Sequence, residues 1–181
     1  MTLPRFDAAW RGAQQHQPFF CEENVWQLLA GNALPSPAAA LFITNATHTV
    51  AMWGQRAARL DPIVWDYHVV VLLPQHDLVV DLDDRTTIAR PVRAWLAHAF
   101  RSDQSELQPR FRCVERELFL ATFRSDRSHM RDAQGRPLQP FPNWPAVGDP
   151  AAKHNLNCFL DLSDPIAGSV VDAPGLLELA H

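Results

Sequence analysis

The segment that decides the fold runs from residue 63 to residue 82 and reads IVWDYHVVVLLPQHDLVVDL. Its first half is rich in Val and Ile, as strands usually are, and its last five residues form a second, shorter run of the same kind. Between the two runs, residues 74–77 are a cluster of turn-forming residues. The segment therefore predicts a hairpin of two antiparallel strands, residues 63–73 and 78–82.

The register of this hairpin decides which side chains meet. If the turn closes with residue 73 opposite residue 78, then residue 70 pairs with 81 and residue 68 with 83. His68, Asp81 and Asp83 then share one face, within a cross-strand reach of roughly 5–8 Å. A carboxylate on the neighbouring strand can accept an imidazole N–H and fix the tautomer of the ring. Either Asp81 or Asp83 fits this role, and a register shift of one residue would remove both.

Cys21 is predicted to open a helix over residues 21–30, with Glu22 and Glu23 in the first turn. Backbone N–H groups at a helix start stabilise a thiolate and can also hold an oxyanion. The two neighbouring carboxylates raise the thiol pKa, so a nearby cation such as a protonated histidine is required. The residue types and their order therefore predict a nucleophile, a base and an orienting carboxylate. Taken alone, Cys21 also fits a buried structural cysteine.

The rest of the chain predicts an α+β domain. We expect further helices over residues 5–14, 91–100 and 118–123 and near Leu176, and further strands over residues 40–45, 49–54, 111–114 and 169–171. Residues 125–150 form a long loop punctuated by prolines, and loops of this length are often functional. The prediction is one catalytic domain, residues 1–181, with helices packed on a mainly antiparallel sheet.

Composition and charge exclude several classes of protein. The 181 residues are 47% apolar and 20% charged, which is typical of one globular domain. The net charge is −4 and no Lys/Arg cluster occurs, so neither nucleic acid nor an anionic membrane is an expected partner. The apolar runs are too short to span a membrane, and the N-terminus does not read as a signal peptide. We therefore expect a cytoplasmic protein, and nothing demands more than a monomer.

Cysteine and histidine spacing gives no sign of a metal. The three cysteines lie far apart and form no CxxC pair, so free thiols are expected. His129 has no second ligand at a helix or hairpin spacing. The prediction is a site without a metal or an organic cofactor.

Four ordered blocks closely resemble the protein N-terminal glutamine amidohydrolase family. They are CEENVW (21–26), VWDYHVV (64–70), VDLD (80–83) and FRSDRSHM (123–130), and the resemblance runs from about Phe20 to the C-terminus. It implies a papain-like or transglutaminase-like fold and a catalytic triad whose motif positions are Cys21, His68 and Asp81. The resemblance therefore selects Asp81 over Asp83. The segment before Phe20 matches no motif and receives no role.

The resemblance implies conversion of the N-terminal Gln of a protein or peptide to Glu, with release of ammonia through a thioester. A site that selects a chain end needs a carboxylate for the α-ammonium group, and our candidates are Glu23, Asp66 and Asp126. Tyr67 and the block from Ser125 to Met130 are predicted to line the pocket. The block fits a loop closure with Arg127 in a salt bridge equally well, and Tyr67 also fits core packing. Each carboxylate also fits a structural role: Glu23 in a helical first turn, Asp66 in solvent, Asp126 as a loop cap.

Two other functions fit the same residues. A cysteine peptidase or a transglutaminase would use the same triad. A silent module that binds peptide termini would keep the fold without the chemistry. The module is disfavoured, because a binder has no need of a thiol, an imidazole and a carboxylate together.

Overall fold

The computed structural model describes residues 2–31, 33–149, 151–164 and 168–180. The strands are β1 (Ala39–Thr44), β2 (Val50–Met52), β3 (Ile63–Trp65), β4 (His68–Leu73), β5 (Leu78–Val80), β6 (Ala89–Pro91), β7 (Arg110–Glu115) and β8 (Ser169–Val171). The α-helices are α1 (Ala8–Gly12), α2 (Cys21–Ala30), α3 (Val92–Ala99), α4 (Arg116–Thr122), α5 (Leu156–Leu160) and α6 (Ala173–Leu179). None of these helices has the length and apolarity needed to cross a membrane.

Six of the strands form one sheet, and all of its pairings are antiparallel. The strand order is β6-β5-β4-β1-β7-β8, while β2 and β3 pair separately. Every residue of the two central strands, β1 and β4, is buried. The prediction of an α+β domain with helices on a mainly antiparallel sheet is confirmed.

Helices cover both faces of this sheet. Val69 and Val71 of β4 belong to the same apolar cluster as Val25 of α2, whereas Val70 belongs to the cluster that contains Trp95 of α3. Successive side chains of a strand point to opposite faces, so β4 contributes to both cores. This explains the uninterrupted apolar sequence of β4, because both of its faces are buried.

The predicted hairpin register is confirmed. Leu73 pairs with Leu78, and Val71 pairs with Val80. The second strand, however, ends at Val80 rather than at residue 82, and the N–H of Asp81 donates to the carbonyl of Ile88 at 2.8 Å. Asp81 therefore stands just beyond the end of a strand.

The prediction of one unbroken strand over residues 63–73 is wrong. The chain leaves the extended conformation at Asp66 and Tyr67, so that β3 pairs with β2 and β4 begins at His68. The Asp66 Oδ1 accepts the N–H of Tyr67 at 3.0 Å, and the Thr44 hydroxyl donates to the Asp66 carbonyl at 2.8 Å. The Tyr67 N–H and the Asp66 carbonyl are thus hydrogen-bonded without a neighbouring strand. Asp side chains often compete with strand pairing for backbone N–H groups in this way.

Other predicted boundaries differ by less. Helix α1 is shorter than the predicted 5–14, because Asp7 caps it by accepting the N–H of Trp10 at 2.9 Å. Strand β6 and helix α5 were not predicted. The predicted loop over residues 125–150 holds a short 3-10 turn, Ser128–Met130, and its last residue, Pro150, lies outside the described part.

Candidate active site

One cavity of about 640 Å³ brings together the predicted thiol and the predicted imidazole. Cys21 at the start of α2 and His68 at the start of β4 both line it. The N-terminal segment contributes His16, the long loop contributes His129, and α5 contributes Leu156. Five separate parts of the fold thus converge on the predicted thiol and imidazole.

Cys21 is a buried thiol, with 8% of the residue exposed. Burial raises its pKa well above the ordinary value, and the negative charge of Glu22 adds to this effect. The Cys21 Sγ lies 3.6 Å from the Glu22 Oε2 and donates to it. The backbone N–H of Val69 donates to the sulfur and lowers the pKa, against the other effects. The thiol is therefore protonated at rest. Its sulfur accepts a hydrogen bond from the backbone of Val69, the residue that directly follows His68.

His68 contacts Asp81, with 3.2 Å between Nε2 and Oδ1 and almost no exposure of either side chain. An ionised carboxylate can only accept, so Nε2 carries the proton and Nδ1 carries the lone pair of the neutral ring. Burial on its own lowers the pKa of His68, but the charge of Asp81 and this hydrogen bond outweigh it and raise the pKa above 6.5. Burial likewise raises the pKa of Asp81, and His68 outweighs that effect and lowers it.

Asp81 is held on both oxygens. Gln55 Nε2 donates to Oδ2 at 3.0 Å, and the N–H of Asp83 donates to Oδ1 at 2.9 Å. The indole of Trp65 stacks on the His68 ring, with 5.9 Å between centroids and 13° between planes. Asp81, rather than Asp83, therefore contacts the imidazole. Gln55 and the Asp83 N–H hold the carboxylate, and Trp65 packs on the ring.

Glu23, one of the predicted amine-binding carboxylates, lies outside the described cavity wall. It is fully buried, and Arg127 donates to its two oxygens at 2.9 and 2.8 Å. The indole N–H of Trp144 donates to Oε2 at 2.9 Å. Glu23 does not line the cavity as described, and its contacts fasten the long loop to α2.

The other four predicted binding residues divide into two pairs. Asp66 and Tyr67 line the cavity, Asp66 exposed and Tyr67 buried. Ser125 and Asp126 are not part of the described cavity wall. Asp126 is exposed and accepts the N–H of Ser128 at 2.8 Å, as expected of a loop cap. Two later residues of that loop, His129 and Met130, line the cavity instead.

Two features of the site were not predicted from the sequence. Glu22 is fully buried; its Oε2 accepts the Tyr67 hydroxyl at 3.1 Å, and its Oε1 lies 3.4 Å from His129 Nε2. The position of Glu22 directly after Cys21 was the one feature of the sequence that indicated a place in the site. His16 contacts Asp83, with 2.8 Å between Nε2 and Oδ1. No local pattern predicts a pairing across 67 positions.

One group of side chains is compact enough to share a cation. A ring nitrogen of His68 and one carboxylate oxygen each of Asp81 and Asp83 lie within 4.8 Å of one another. His68 Nε2 and Asp81 Oδ1 already face each other across a proton, and a cation between them would have to displace it. The predicted absence of a metal stays a prediction.

In this α+β domain, a thiol at a helix start and an imidazole line one cavity, and a buried carboxylate contacts the imidazole. The model of the N-terminal glutamine amidase family matches residues 16–179. The chain belongs to this family, and the resemblance drawn from the four sequence blocks is confirmed.

Curated relatives from distant animals agree with this assignment, and each is named protein N-terminal glutamine amidohydrolase. The Bos taurus protein is 32% identical over 94% of this chain and 87% of the relative. The Homo sapiens protein is 32% identical over 87% and 82%, respectively. The Drosophila virilis protein is 35% identical over 86% and 80%. The chain therefore aligns with most of each relative's length.

Proposed function

We propose that this chain hydrolyses the side-chain amide of an N-terminal Gln to give Glu and ammonia, through a thioester on Cys21. The observation that carries the proposal is that Cys21 and His68 line one cavity, with His68 backed by Asp81. The names of the relatives supply the substrate. The papain-like or transglutaminase-like assignment of the fold is part of the same proposal.

The first half of the reaction forms the thioester. His68 Nδ1 takes the thiol proton while the Cys21 sulfur attacks the side-chain amide carbon of the Gln. The free N–H groups in the first turn of α2 stabilise the oxyanion that develops. His68 then gives its proton to the amide nitrogen, and the C–N bond breaks to release ammonia. Asp81 stabilises the imidazolium that exists between these two transfers.

The second half returns the enzyme to its starting state. Water attacks the thioester carbon and gives a proton to His68 Nδ1. The tetrahedral intermediate collapses, the C–S bond breaks, and the Cys21 sulfur recovers the proton from His68. The product is a peptide with an N-terminal Glu, and one water has been consumed for each ammonia released.

The experiment that tests this proposal compares three peptides that differ only at the chain end. One begins with Gln, one begins with acetylated Gln, and one carries Gln at an internal position. We expect ammonia release and a gain of one mass unit only for the first. Cleaved peptide would instead indicate a peptidase, and addition of a supplied amine would indicate a transglutaminase. Equal rates for all three peptides would refute recognition of the N-terminal residue.

The acid limb of the pH profile follows from the ionisation of the site. Because burial keeps the Cys21 thiol protonated, His68 must be neutral in order to act as base. Activity is therefore absent where His68 is protonated and appears as the pH rises through the pKa of His68, which lies above 6.5. We expect kcat/KM for the Gln peptide to rise with a midpoint above 6.5. A midpoint near pH 4 would indicate a preformed thiolate–imidazolium pair instead.

A further inference from the structure

A second imidazole–carboxylate pair, His16 and Asp83, lies beside His68 and Asp81. We propose that Asp83, held in place by His16, binds the α-ammonium group of the substrate and so selects an N-terminal residue. This inference rests on the proposed function, because it assigns the part of the same cavity that recognises the chain end.

The pair is a fixed part of the cavity wall. His16 Nε2 lies 2.8 Å from Asp83 Oδ1, and both residues line the cavity. The segment that carries His16 is bound to α2 at the next residue. The N–H of Gln17 donates to Asn24 Oδ1 at 2.8 Å, and Asn24 Nδ2 donates to the Gln17 carbonyl at 2.9 Å. The imidazole is thereby delivered to Asp83 by a segment anchored to the helix that begins with Cys21.

Asp83 retains an acceptor for a ligand. A carboxylate offers two oxygens with about four lone-pair sites, and His16 occupies one of the oxygens. Among the described residues, no group donates a hydrogen bond to Asp83 Oδ2. This oxygen is also not one of the fully buried side-chain atoms that lack a partner. An ammonium group has three N–H donors and matches such a free oxygen.

The position of Asp83 suits the length of a Gln side chain. A carboxylate oxygen of Asp83 lies within 4.8 Å of a ring nitrogen of His68. In the substrate, four bonds separate the amide carbon from the α-nitrogen, an extended span of about 5 Å from standard bond lengths. An amide carbon placed for attack by Cys21 next to His68 therefore leaves the α-nitrogen within reach of Asp83.

The carboxylates favoured from the sequence are less suited to this role. Glu23 has both oxygens engaged by Arg127 and Trp144. Asp126 is not part of the described cavity wall. Asp66 lines the cavity but is exposed, so solvent screens its charge.

The low exposure of Asp83 strengthens its attraction for a cation, whereas the positive charge of Arg11, which interacts with Asp83, weakens it. The Asp83 side chain is only 15% exposed, and charges interact more strongly away from bulk water. Arg56 lines the same cavity, but the residue is exposed. Its contact with Asp83 is between backbone groups, since the Arg56 N–H donates to the Asp83 carbonyl at 2.8 Å. A substrate without the α-ammonium group would leave a partly buried carboxylate without its ligand, which costs binding in the transition state.

The test uses two peptides that differ only in the α-amino group: the Gln peptide and its analogue that begins with a 4-carbamoylbutanoyl group. The ratio of their kcat/KM values is measured for the wild type, Asp83→Asn and Asp66→Asn. We expect the wild type to favour the Gln peptide by about 100-fold or more. In Asp83→Asn the ratio should fall to about fivefold or less, because only the Gln peptide loses an interaction. Asp66→Asn should keep the wild-type ratio.

The alternatives give different results. Equal losses for both peptides in Asp83→Asn would overturn the inference in favour of a structural role, and collapse of the ratio in Asp66→Asn would move the amine site to Asp66. The wild type alone also tests the idea, since equal rates for the two peptides overturn it even if Asp83→Asn does not fold. Ammonia release from neither peptide would overturn the proposed function as well as this inference.

Discussion

Cys21→Ala is expected to lower kcat for ammonia release from a Gln-initiated peptide by about 10⁴-fold or more, as removal of the nucleophile does in other covalent hydrolases. Without the sulfur no thioester forms, and the Cys21 position at the start of α2 offers His68 no proton to remove. The residue is 8% exposed and small, so the change leaves little empty space. Circular dichroism and thermal unfolding should therefore match the wild type.

Cys113→Ala is the matched control. Cys113 is a partly buried free cysteine of β7 that does not line the described cavity, and burial raises its pKa to about 11. Because Cys113 lies outside the cavity that His68 lines, that histidine cannot take its proton. We expect this variant to keep the activity of the wild type. Turnover by Cys21→Ala, or its loss in Cys113→Ala, would contradict the assignment of the nucleophile.

Arg127→Met is expected to lower the free energy of unfolding by about 3–5 kcal/mol, because it leaves the buried carboxylate of Glu23 without its cation. Glu23 is fully buried, and Arg127 is 9% exposed in its side chain. Arg127 also donates to the Trp144 carbonyl at 2.8 Å, so a second buried acceptor loses its partner. Denaturant unfolding measures the change, and a domain of this size should lose about 2–4 °C of Tm per kcal/mol.

Two further variants separate the charge from the packing. Glu23→Gln combined with Arg127→Met removes both charges and should be less destabilised than Arg127→Met alone. Arg136→Ala breaks an ion pair with Asp132 in the same loop, but the Arg136 side chain is 74% exposed. Solvent screens exposed ion pairs, so this control should unfold near the wild type. Equal losses in Arg127→Met and Arg136→Ala would refute the importance of burial.

The parts of the fold that depend on local sequence were predictable. Acidic residues after Cys21 predicted α2, and the turn residues between Leu73 and Leu78 predicted the register that the structure has. The register in turn brought a carboxylate within reach of His68. These features depend on interactions between near neighbours in the chain, such as the helix dipole and the closure of a short turn.

The parts that depend on distant contacts were not predictable. Glu23 is a candidate for amine recognition in the sequence, because nothing near it in the chain indicates its ion pair with Arg127, which lies 104 positions away. His16 received no role because the segment before Phe20 matches no motif, and its partner Asp83 meets it only in the folded chain. The break at Asp66 was hidden by the apolar residues on both sides, which continue the pattern of a single strand. In each case a tertiary contact decided the outcome, and periodicity carries no information about it.

The thioester on Cys21 can be detected by peptide mapping with mass spectrometry after an acid quench of enzyme mixed with Gln-initiated peptide. We expect a covalent adduct on the fragment that contains Cys21, with the mass of the substrate less ammonia, formed and lost in step with turnover. An adduct on Cys113 or Cys158, or complete product formation with Cys21 unmodified at every time point, would contradict the proposed thioester on Cys21.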